Sequence, residues 1–149
     1  MRRSFSFLAR FIFIGILLHI YVGFRLIPDL PVGPTWRVLA VLWLVVSVFV
    51  IPLGMLARTI KRQPLADRLA WIGLMGMGFF SSLLVLTFAR DLLLASLLTI
   101  DAIWPHTLAL AAWRTHTAGA VPLLALLSTA IGLFNARRRA RVVTIDVPI

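Results

Sequence analysis

From Val38 to Ala57 the chain runs for twenty residues without a charge, and no other feature restricts its folding as much. As a helix those residues rise about 30 Å, the thickness of a bilayer's hydrocarbon core. Backbone in hydrocarbon has no water to bond to, so an unbroken helix is the form such a segment takes. Other apolar runs lie on both sides of it. With 61% hydrophobic and 13% charged residues and a mean hydropathy of +1.01, the 149-residue chain lacks the charged surface a soluble domain needs. The expected fold is an all-α integral membrane bundle of four transmembrane helices, over about 5–25, 37–57, 69–89 and 118–136.

Each span has its own signals. The first begins at Phe5 and is interrupted by Arg10, whose long side chain can snorkel to the head groups. Arg2-Arg3 ahead of an apolar stretch partly matches an export signal, but Gly23 to Pro28 offers no pair of small residues for cleavage, so the span is read as uncleaved. Pro28, Pro31, Gly33 and Pro34 enforce a short hairpin loop. Thr35 is the expected N-cap and Trp36 the interface anchor of the second span, which Pro52 and Gly54 should bend near its far end. Gly78 and Ser82 in the third span match the spacing of Ser128 and Gly132 in the fourth, which predicts a close-packed seam between these two helices. Between them, Asp101, Pro105 and His106 interrupt an apolar stretch. Two short interfacial helices are expected over 92–113, broken before Pro105, with Trp104 and Trp113 at head-group depth and Thr117 capping the last span.

Fourteen Arg and one Lys oppose five Asp and no Glu, a formal charge of +10. The positive charges cluster beside the apolar runs rather than forming the stripe of a nucleic-acid binder, so they read as orientation signals. Four spans gather Arg2, Arg3, Arg10, Arg58, Lys61, Arg62, Arg68, Arg137, Arg138, Arg139 and Arg141 on one side, against Arg25, Arg37, Arg90 and Arg114 on the other. The larger set is expected in the cytoplasm, with both termini, in a multi-pass protein of a cell's inner membrane.

Residues able to do chemistry are few and dispersed. Without cysteine there is no disulfide, thiolate site or Cys nucleophile. Asp29, Asp67, Asp91, Asp101 and Asp146 fall in separate segments, and none has another carboxylate three or four residues away. His106 and His116 lie ten residues apart with no Asp or Glu between them, which is not a metal-ligand spacing. His19 lies inside the first span and is a candidate proton relay by position. With no acidic residue within a turn, an interhelical hydrogen bond is the plainer expectation. No catalytic, cofactor-binding or metal-ligating set is assigned.

The stretch Asn135–Ile149 shapes the functional reading. Arg137, Arg138, Arg139 and Arg141 lead into Val142-Val143-Thr144-Ile145-Asp146-Val147-Pro148-Ile149, whose β-branched, alternating pattern reads as a strand. A lone strand needs a sheet, so 137–149 is expected to be a basic cluster and the start of a cytoplasmic domain that lies beyond Ile149.

Together with Gly78-Phe79-Phe80-Ser81-Ser82, Arg90-Asp91-Leu92 and Leu133-Phe134-Asn135-Ala136-Arg137, this resembles the N-terminal membrane region of bacterial membrane-anchored metallophosphoesterases of the calcineurin-like superfamily. The resemblance implies an anchor for a metal-dependent hydrolase whose dinuclear metal centre belongs to the following domain. That family's metal motifs are absent from this chain: no Asp is followed two residues later by His, and the only asparagine, Asn135, follows Phe134. No metal ligand carries over, and no activity is expected from these residues alone. The alternatives are a free-standing small multi-span scaffold or subunit that binds a partner or anionic lipid, and a transporter. The latter lacks the repeated broken helices and midplane polar groups it would need.

Overall fold

The computed structural model describes the backbone of residues 2–105 and 107–137 and, apart from residues 2–9, 11 and 58, their side chains. The strand expected over Val142–Ile149, with Asp146, the arginines at 138, 139 and 141, and His106 lie outside the described residues. Four helices follow in order: α1 (Arg2–Leu26), α2 (Pro34–Leu56), α3 (Gln63–Ile103) and α4 (Leu110–Arg137), with 3-10 turns at Ile27–Asp29 and Ala57–Thr59. All four are long and apolar enough to cross a membrane. Their surfaces agree with that solvent. Phe13, Phe24, Phe49, Val85, Leu126 and Ile131 are exposed, while His19, Ser47, Thr87 and Arg90 are buried, the reverse of a soluble protein. The chain forms an α-helical multi-pass membrane bundle.

Proline sets the helix boundaries. Pro34 occupies the first position of α2, where its missing N–H costs nothing, so the cap falls on Gly33 and the expected cap, Thr35, lies within the first turn. Pro52 is carried inside a continuous α2. At the far end the chain tightens into the 3-10 turn, and the Thr59 hydroxyl donates to Leu56 O at 2.7 Å. Pro64 likewise sits in the first turn of α3.

The separate short helices expected over 92–113 do not form. Leu92–Ile103 continues α3 without a break, giving 41 residues that rise about 61 Å. Arg90 and Asp91 fail to end the helix because their charges are met by other elements, and the Leu- and Ala-rich sequence beyond them favours helix. The break before Pro105 does occur: Ile103 ends α3 and Trp104 caps it, since the residue before proline avoids helical geometry. The fourth helix starts at Leu110, well ahead of Ala118, so Thr117 is an interior residue of α4 and not its cap.

The central helix is α3, packed on α2, α4 and α1. One cluster joins Val22, Leu44, Ile51 and Phe80, and a second joins Leu26, Leu83, Val121 and Ala125. Trp43 and Phe79 meet edge to face between them, centroids 4.9 Å apart. The helices α3 and α4 do pair, but not through the expected seam. A Cβ added at Gly78 or Gly132 would meet nothing within 4 Å, and Ser82 bonds Gly78 O of its own helix. The small residues of α4 that are fully buried are Ala118 and Ala125. The closest backbone approach lies between α2 and α3, where a Cβ on Gly54 would fall 2.5 Å from Gly73 Cα and 3.1 Å from Leu69 O.

Candidate functional site

Arg90 is the most buried charge among the described residues, 4% exposed on the central helix. Its guanidinium makes four hydrogen bonds to three other elements. Nε donates to Thr117 Oγ1 of α4 at 3.1 Å, Nη1 to Arg25 O of α1 at 2.9 Å, and Nη2 to Arg114 O of α4 at 3.1 Å. Nη2 also pairs with the carboxylate of Asp29 in the turn after α1. Thr117 is held in turn by donating to Trp113 O at 2.6 Å. A buried guanidinium is tolerable only when its donors are met in this way.

Asp91 extends the network. It accepts a two-pronged bond from Arg25, Nε to Oδ2 at 2.7 Å and Nη2 to Oδ1 at 2.8 Å, and a further bond from the Tyr21 hydroxyl at 2.8 Å. Arg90 Nη1 stands 3.8 Å from Asp91 Oδ1, the oxygen that accepts from Arg25 Nη2. Parallel bonds from the planar guanidinium fix orientation as well as distance. Tyr21, Arg25 and Asp29 recur every fourth residue, so α1 and its following turn present all three toward α3. The cluster joins α1, α3, α4 and the α1–α2 connection at one end of the bundle. That connection is tied to α2 by Arg37, whose Nη2 donates to Leu30 O at 2.9 Å.

Deeper along α1, His19 forms a second polar site. Its Nδ1 lies 2.7 Å from Gly15 O and its Nε2 2.9 Å from Ser47 Oγ on α2, while its ring stacks on Phe80 of α3, centroids 3.6 Å apart and planes 4° from parallel. A carbonyl only accepts, so Nδ1 carries the proton and, in the neutral ring, Nε2 accepts from the Ser47 hydroxyl. That hydroxyl is also 2.9 Å from Leu44 O and gives its one hydrogen to one of the two at a time. The expected interhelical hydrogen bond of His19 is therefore present.

The remaining candidates stay apart. Asp67 is exposed near the start of α3, at the opposite end of the bundle from Asp29 and Asp91. Asp101 lies near the end of α3 with a buried, unbonded Oδ1. His116 is exposed on α4. Among the described residues no three His, Cys, Asp or Glu gather as a metal set. What the sequence reading missed is the ion network itself. Its signal was present in Arg25 and Asp29 at i, i+4 and in the adjacent Arg90-Asp91, all at span ends on the sparsely charged side.

These features define a class: a multi-pass helical membrane protein whose buried charges cross-link its helices. No family description, no curated protein and no solved structure matches the chain.

Proposed function

We propose that the chain is a membrane anchor, a rigid four-span module whose polar groups serve structure and not turnover. The observation that carries this reading is the engagement of Arg90, whose four hydrogen bonds all end on other parts of the bundle. A catalytic or transporting group needs a free face toward substrate, and neither Arg90 nor the triply bonded Asp91 offers one. Eleven basic residues against four support an arrangement with both termini in the cytoplasm. The resemblance supports the finer reading, in which the anchored unit is a cytoplasmic-face, metal-dependent phosphoesterase domain following Ile149, in a bacterial inner membrane.

Hydrolysis of bis-(p-nitrophenyl) phosphate across a series of manganese, iron and zinc tests both levels. The expected result is no turnover by the purified 149-residue chain and metal-dependent turnover by a chain extended through its native downstream reading frame. Turnover by the shorter chain overturns the anchor reading. An extended chain that inserts but stays inactive withdraws the phosphoesterase and leaves the anchor.

A further inference from the structure

The outer faces of α1 and α2 diverge into a laterally open groove of about 630 Å³, reaching from Arg37 to Phe49 on α2. Its walls include Ile16, Ile20 and Phe24 from α1 and Val41, Val45 and Phe49 from α2. Twelve residues of helix separate its ends, about 18 Å, slightly more than half of a roughly 30 Å hydrocarbon core. The groove therefore has the length of one leaflet's acyl chain. Arg37 stands at its head-group end. Unlike Arg25 and Arg90, it has no carboxylate partner among the described residues. One of its Nη2 hydrogens goes to Leu30 O, which leaves the remaining Nη donors for a ligand, while its Nε is buried and unbonded and out of a ligand's reach.

We propose that this groove binds one anionic phospholipid, its acyl chain between α1 and α2 and its phosphate on Arg37. Charge selects the occupant. A second lateral groove of about 520 Å³, between Trp43, Trp71 and Leu126, contains no charged side chain and offers a chain a surface without choosing its head group. At the Arg37 groove, a phosphate gives the free Nη donors of the guanidinium an anionic partner, and arginine–phosphate pairs form charge-assisted hydrogen bonds. The inference is independent of the anchor reading.

The test reconstitutes the full chain in equimolar phosphatidylglycerol and phosphatidylcholine with matched acyl chains, then counts retained lipid by native mass spectrometry. Wild type is expected to keep one phosphatidylglycerol in preference to phosphatidylcholine. Arg37→Gln should lower that preference about fivefold, the loss of one favourable charge. Val41→Trp, filling a half-exposed position in the groove, should abolish retention. Val85→Trp, on the exposed face of α3, should leave it intact. Equal retention of both lipids by wild type overturns the proposal. So does undiminished retention in Val41→Trp, because the groove would then be empty of acyl chain. If Arg37→Gln fails to insert, the two tryptophan variants decide alone.

Discussion

Arg90 links three other elements through one guanidinium, so its loss is felt by all of them at once. Removing Arg90 strands the Asp29 carboxylate, whose side chain is 33% exposed, so the cost falls below the about 3–5 kcal/mol of breaking a fully buried pair. Arg90→Ala is expected to lower the thermal midpoint in detergent sharply, read by tryptophan fluorescence, whereas Asp67→Asn, at an exposed site, should leave it unchanged. Arg90→Lys should fall near the alanine variant, since an ammonium keeps the charge but cannot reach Thr117, Arg25 O and Asp29 from one plane. At His19 the stakes are smaller. Ser47→Ala removes one interhelical hydrogen bond, for which about 0.6 kcal/mol is the average found in membranes, and the same fluorescence melt should show a shift several times smaller than that of Arg90→Ala.

Among the elements, the α2–α3 crossing depends on two missing side chains. Gly54→Ala would place a methyl against Gly73 backbone, which cannot yield as a flexible side chain does. The expected result is a clear loss of detergent stability and of native-like compactness on size exclusion. Gly78→Ala, facing open space, should be neutral or gain a few tenths of a kcal/mol from helix propensity. The existence of four spans was legible in the sequence, because hydropathy and backbone satisfaction leave a long apolar run few alternatives. The seam was not, because small-residue spacing identifies a stripe on a helix but not which neighbour the stripe faces. The length of α3 was hidden for a related reason. Arg90-Asp91 reads as a span end until partners 61 to 70 residues away in the chain are known, and no local pattern reports those.

At the scale of the molecule, the charge distribution and the fold make a joint prediction about topology. Gly33 lies in the α1–α2 connection and Gln63 at the start of α3, at opposite ends of α2, and both are exposed. Since the chain has no cysteine, Gly33→Cys and Gln63→Cys each create a unique thiol. In intact cells an impermeant maleimide should label position 33 and spare position 63. The opposite pattern would invert the proposed orientation.

The helix α3 adds a dimension of its own. From Arg68 to Arg90 it rises about 33 Å, one hydrocarbon core, and from Asp91 to Ile103 about 18 Å more. The network thus sits a full bilayer's depth along α3 from the basic start of that helix, with the Asp91–Ile103 segment and the first turns of α4 continuing past it.

The network also imposes an order in time. During synthesis Tyr21, Arg25 and Asp29 enter the membrane first, then Arg90 and Asp91, and Arg114 and Thr117 last. Until α4 arrives, the guanidinium of Arg90 lacks two of its four acceptors and must borrow water at the interface. The fourth helix closes the network, because it brings the Thr117 hydroxyl and the Arg114 carbonyl that complete the shell around Arg90. A chain ending before Leu110 would leave Arg90 without these two acceptors, a need that only the arrival of α4 meets.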